Sequence, residues 1–137
     1  MTLRGWFYQP EDGDGPFPTL VMAHGFSAIK EQGLDAYARV FCQGGFAVLV
    51  YDHRNLGTSH GEPRGEIIPY DQIRDYRDAI TYALTLPVVD KEHIGIWGTS
   101  YSGGHVIVVA AIDRRVQCVV SQVPYLGGFE TSRRLVT

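Results

Sequence analysis

Short apolar runs alternate along this chain with longer segments of helical period, the pattern of βαβ units on a mostly parallel sheet. Thr19 to Ala23, Phe46 to Tyr51, His93 to Trp97 and Gln117 to Ser121 are each short, apolar or β-branched, and bounded by Gly, Pro or polar residues, so they read as buried strands. Leu3 to Gln9 alternates well enough to be one more strand, and the turn-forming stretch Pro10 to Pro18 after it is too close to the N-terminus to be a linker and reads as a hairpin loop. Glu31 to Gln43 predicts a helix stopped by Gly44-Gly45, and Tyr70 to Leu86 a longer one ended at Pro87. In the second, Ile73, Tyr76, Ala79, Ile80 and Ala83 share one face at i, i+3, i+4 spacing. A third helix, Tyr101 to about Ile112, is apolar on most sides and is expected to lie against the sheet under further cover. The predicted class is α/β: a mostly parallel sheet of four to five strands with helices on both faces.

Composition narrows this to one soluble globular domain over residues 1–137, with 45% hydrophobic and 20% charged residues. The net charge of −3 and a pI near 5.9, with basic residues scattered apart from pairs such as Arg114-Arg115, argue against a nucleic-acid partner. Cys42 and Cys118 sit in apolar runs without a second ligand at metal spacing, which predicts buried free thiols. No leader and no run of ~20 apolar residues stands in the sequence, so a cytoplasmic, membrane-free protein is expected.

The chemistry concentrates in Ile94-Gly95-Ile96-Trp97-Gly98-Thr99-Ser100-Tyr101-Ser102-Gly103-Gly104, a strand, a turn of small residues and an apolar helix in that order. A serine on such a turn is held in a strained backbone at the strand's C-terminal end with its Oγ exposed, and small residues two before and two after let the backbone double back. Ser100 fits the nucleophile position, with Gly98 before it and Ser102 in place of the usual last glycine. A second register would make Ser102 the nucleophile, but it would lie further into the helix. The alternative of a phosphate cradle lacks a Gly-Lys-Ser/Thr ending and a G-x-G-x-x-G.

The strand Leu20-Val21-Met22-Ala23 runs into His24-Gly25-Phe26-Ser27, and Tyr51-Asp52-His53-Arg54-Asn55-Leu56-Gly57-Thr58-Ser59 follows the next strand. With the turn at Ser100, these three motifs in order resemble the α/β-hydrolase family, in particular dienelactone-hydrolase-like and X-Pro-dipeptidyl-peptidase-like esterases and acyl hydrolases. The resemblance implies that the backbone N–H groups of Phe26 and Tyr101 form an oxyanion hole, and that His24 and Gly25 shape the loop against which substrate binds. It treats Asp52 and Arg54 as a loop-organising ion pair and His105 as a packing residue, leaving His53, His60 and His93 without a strong claim, His60 being the most exposed.

The family activates its serine with a histidine oriented by a carboxylate, in chain order serine, acid, histidine. After Ser100 only Asp113, Glu130 and His105 are available, and His105 shares the serine's own helix. His53 or His60, with Asp52 or Glu62, remain conceivable donors in cis or in trans. The expectation is a truncated α/β-hydrolase core, stopping at Arg133 to Thr137 within the start of another element. Its last strand would stand at an apolar edge, which predicts a homo-oligomer. The function expected is a serine hydrolase of small carboxylic esters, needing no metal or organic cofactor. Trp6, Phe7, Tyr8, Phe26, Tyr101 and Tyr125 are candidates to line an open pocket. The alternatives are a catalytically disabled binding or assembly module and, on fold alone, a nucleotide binder.

Overall fold

The computed structural model describes residues 1–135. Its strands are β1 (Gly5–Tyr8), β2 (Phe17–Ala23), β3 (Ala47–Tyr51), β4 (Val89–Thr99) and β5 (Val116–Gln122), and its helices α1 (Leu34–Gln43), α2 (Pro69–Ala83), α3 (Tyr101–Ile112) and α4 (Gly128–Leu135). The sheet order is β1-β3-β2-β4-β5, all parallel except β1, which runs antiparallel to β3. The α/β class and the mostly parallel sheet are as the apolar pattern predicts.

Alternation along the central strands explains the two layers. Val21, Ala23, Leu49, Tyr51, Ile94 and Ile96 pack with Tyr76, Ala79 and Ile80 of α2 and Val106 and Val109 of α3. Leu20, Met22, Val48, Val50 and Trp97 point the other way and meet Leu34 and Ala38 of α1. Both faces of these strands are therefore buried, which is why they are apolar throughout instead of alternating with polar residues.

This order also places a winding reversal at β2. The chain leaves β2 through α1 to reach β3 on one side, then returns through α2 to β4 on the other. Two right-handed crossovers in opposite directions put their helices on opposite faces and leave a crevice at the C-terminal ends of β2 and β4. The register sets Ala23 opposite Gly98, so His24-Gly25-Phe26 and Thr99-Ser100-Tyr101 leave the sheet side by side.

Several local expectations are corrected. Pro10 to Pro18 is no hairpin: β3 lies between β1 and β2, because β1 finds its backbone partners in the register Gly5 to Tyr51. The first helix begins at Leu34, since Gly33 adopts φ 91°, and the second ends at Ala83, short of Leu86. Cys42 is only half-buried and Cys118 is exposed on β5. The outer side of α3 lacks the expected cover, for Ile107, Val108 and Ile112 are exposed. So are Val119 and Val120 on β5, whose one strand neighbour among the described residues is β4. The chain after β5 turns into α4, while Val136 and Thr137 of the predicted final element lie outside the described residues. Among the described residues no helix is long and apolar enough to cross a membrane.

Ile80 is fully buried between α2 and the sheet. Ile80→Ala is expected to cost about 2–5 kcal/mol of unfolding free energy, read from the urea midpoint; an unchanged midpoint would mean that α2 is not docked as described.

Candidate active site

β4 and α3 join through Ser100, which adopts φ 53° and ψ −111°. That conformation is unfavourable for a residue with a Cβ and persists only where its surroundings over-determine it. Here they do. The Ser100 N–H donates to the Gln122 carbonyl at 2.9 Å, and its own carbonyl accepts from the Tyr125 N–H at 2.8 Å and the Gly104 N–H at 3.2 Å. The turn is thus bolted to the end of β5 and the loop beyond it, while the serine side is exposed.

Small residues make this approach possible. A Cβ on Gly98 would collide with the Ser102 carbonyl and stand 3.0 Å from the Gly103 nitrogen. From the other loop, a Cβ on Gly25 would stand 3.3 Å from the Ser100 Cβ and 3.4 Å from the Thr99 carbonyl. The loop after β2 therefore lies directly against the serine. The Tyr101 N–H is the first of α3 and has no carbonyl of its own helix to meet, and it sits where the helix dipole is positive.

Phe26 is 64% exposed and its ring meets Tyr101 edge-on at 5.3 Å, and the Tyr125 ring stands 5.6 Å from that of Tyr101. Trp6, Phe7 and Tyr8 are not part of this group: they lie on β1, separated from β4 by β3 and β2, and Trp6 covers the Lys30 ammonium at 5.0 Å.

Beneath the serine the interior is polar. His24 is buried; its Nδ1–H donates to the Gly25 carbonyl at 3.0 Å and its Nε2 accepts the His53 N–H at 3.2 Å. Both nitrogens are committed within the protein, so His24 contributes to the loop's shape. Gly25, half-buried, is what the loop presents beside Ser100.

The expected pairing of Asp52 with Arg54 is replaced by two separate ion pairs. Asp52, fully buried, accepts from the Lys30 ammonium at 2.6 Å and from the N–H groups of Lys30 and Thr58 at 2.8 and 2.9 Å. Burial raises its pKa, but these donors outweigh it and hold the carboxyl below its ordinary range. Arg54 instead reaches α2: its Nε and a terminal nitrogen meet Asp75 Oδ1 at 2.8 and 2.7 Å, and its N–H meets Oδ2 at 2.9 Å. Both residues lie beyond the end of β3, where the chain turns, and their side chains run to different elements: Asp52 to Lys30 after β2, Arg54 to Asp75 on α2.

His53, which the sequence offered only as one conceivable base, lies at the centre. It is fully buried, with Nε2 2.9 Å from Ser102 Oγ and Nδ1 3.8 Å from Asp75 Oδ2. His105 packs on Tyr101 at 4.7 Å and bonds Gln72 at 2.9 Å. His60 is exposed beside Arg4, and His93 is exposed and bonded to Asp90. Among the described residues no hydrogen bond reaches Ser100 Oγ. Sequence spacing had no way to reveal these contacts, since His53 and Ser102 are 49 positions apart.

Comparison with known proteins agrees with this architecture. Residues 2–134 match the family model of the X-Pro dipeptidyl-peptidase (S15 family). The chain is 44% identical over 126 residues to the thiohydrolase aneE of Aspergillus aculeatus, covering 92% of this chain and 39% of that protein. It is 43% identical over 115 residues to the quorum-quenching protein AidA of Acinetobacter baumannii, covering 84% and 38%. The crystal structure of the α/β hydrolase GrgF from a Penicillium species superposes with a TM-score of 0.85 at 31% identity, over 98% of this chain and 46% of that one. The chain thus spans about two fifths of the length of these curated relatives.

Burial lowers both His53 and His105 from 6.5 to about 4. In the unfolded chain both titrate near 6.5, so the unfolded state binds the protons first as pH falls, and stability is lost progressively from about 6.5 down to about 4. The melting temperature should therefore drop between pH 7 and pH 4.5; a flat profile over that window would contradict neutral, buried imidazoles.

Proposed function

This chain belongs to the X-Pro dipeptidyl-peptidase (S15) family, and from that premise we propose that Ser100 is the nucleophile of an acyl transfer to water, acting on small carboxylic esters or thioesters. The observation that carries the reading is the exposed Ser100 held at φ 53° directly after β4, with the Gly25-Phe26 loop packed against it. The names of the relatives, thiohydrolase among them, support an activated acyl substrate.

In this reading Ser100 Oγ attacks the carbonyl carbon, and the C=O electrons move onto oxygen. The N–H groups of Phe26 and Tyr101 donate to that oxyanion; both are backbone groups fixed by the loop and the helix start, so they need no reorganisation as charge develops. Collapse expels the alcohol or thiol with a proton, leaving an acyl-serine that water then hydrolyses to the acid. The proton from Ser100 needs an acceptor. His24 has both nitrogens committed, His53 holds Ser102, and His105 holds Gln72, so none of these three is free to take it. Phe26, Tyr101 and Tyr125 form an open apolar wall at the acyl position, suited to small or planar groups.

A fluorophosphonate should add one phosphonyl group to Ser100, found by mass spectrometry of the peptide, and Ser100→Ala should not react. Without a histidine base the labelling rate of this chain should climb steadily from pH 7 to pH 10. A plateau near neutral pH would reveal a base among these residues, equal labelling of Ser100→Ala would move the nucleophile elsewhere, and no labelling at any pH would favour a binding or assembly module.

We further propose that the apolar β5 edge pairs with a second copy of the chain, as an unpaired strand invites. Light scattering at micromolar concentration should then give a dimer or higher mass, and a monomer would remove the idea.

A further inference from the structure

Position 102 is where a G-x-S-x-G turn carries its last glycine, and this chain has serine there. The side chain is not offered to a substrate, for Ser102 is 0% exposed. Its hydroxyl lies against the His24 carbonyl and 2.9 Å from His53 Nε2. A carbonyl has no proton to give, so Ser102 donates to His24 and the His53 Nε2–H donates to Ser102. Two contacts consequently converge on His24: the Ser102 hydroxyl on its carbonyl, and the His53 N–H on its ring nitrogen Nε2.

Peptide planarity carries these contacts to the proposed oxyanion donor. The His24 carbonyl belongs to the peptide that enters Gly25, so holding that oxygen holds the plane. The His24 Nδ1–H in turn holds the Gly25 carbonyl, which shares its peptide with the Phe26 N–H, and the Ala28 N–H caps the same carbonyl at 3.3 Å. Between the two planes stands a glycine, the residue with most freedom to rotate if either plane is released.

We infer that Ser102 is a positioning residue for the oxyanion loop, orienting the Phe26 N–H through the His24 carbonyl and linking that loop to the nucleophile's own helix. This rests on the reading of Ser100 as nucleophile. The departure from glycine is then functional: one residue of α3 ties the two halves of the site together, while Asp75, clamped by Arg54, stands behind His53.

The test compares Ser102→Ala, Ser102→Gly and Ser102→Thr by two readouts on the whole chain. One is fluorophosphonate labelling of Ser100, resolved into maximal rate and half-saturating concentration. The other is amide exchange at Ala28 and His53, measured by NMR against amides of β2 and β4. For the Ala and Gly variants the maximal labelling rate should fall about tenfold, the worth of one hydrogen bond, with half-saturation unchanged. Ala28 and His53 should exchange faster while the strand amides keep their protection, and Ser102→Thr, which keeps the hydroxyl, should restore both readouts. Wild-type labelling together with wild-type exchange in the Ala and Gly variants would overturn the proposal. If the parent chain is never labelled, the Ser100 reading fails separately, and exchange alone decides: faster at Ala28 and His53 sustains the tether, unchanged exchange removes it.

Discussion

The parallel pairing of β2 with β4, with Ala23 opposite Gly98, is the constraint from which the site follows. It brings two loops that are far apart in sequence to the same edge of the sheet, and places them at the winding reversal where open α/β sheets leave a crevice. The close approach then restricts residue choice. A Cβ at Gly25 would press on the Ser100 Cβ across the two loops, and one at Gly98 would strike the Ser102 carbonyl within the turn from β4 into α3. The strained backbone of Ser100 is the third element of this arrangement, supported by β5 through Gln122 and by the following loop through Tyr125.

Under that crevice the protein holds an unusual amount of buried polarity. Asp52 with Lys30 ties the loop after β2 to the loop after β3, and Asp75 with Arg54 ties the latter to α2. Burying charges is expensive, and such pairs add little net stability over well-packed apolar residues. What they supply here is position: each fixes a loop whose backbone must stand at a set distance from its neighbour. Tyr76 adds to this from α2, its hydroxyl donating to the Trp97 carbonyl at 2.9 Å just before the elbow. The interior face of α2 is thus apolar toward its C-terminal end, where Ile80 and Ala83 enter the core, and polar toward its N-terminal end, where Gln72 and Asp75 support the site.

The surface around β5 is different. Ile107, Val108 and Ile112 on α3, Val119 and Val120 on β5, and Leu126 and Phe129 after it leave a broad apolar region around the last strand. These residue types are those of a packed interior, and among the described residues the outer edge of β5 pairs with no further strand.

Much of this was determined by the sequence itself. Strand and helix identity follow from local pattern: apolar runs of β-branched residues, a helical face at Ile73, Tyr76, Ile80 and Ala83, and stops at Gly44-Gly45. The Ser100 turn was legible for the same reason, since a strand, a run of small residues and an apolar helix are contiguous in the chain. What only the tertiary structure decided are pairings across long separations: β1 with β3 instead of β2, Asp52 with Lys30 and Arg54 with Asp75 instead of with each other, and His53 beneath Ser102. Local periodicity constrains which way a side chain points but not what it meets. A polar residue's partner depends on which strands lie side by side, and that is settled only when the whole sheet closes on its helices.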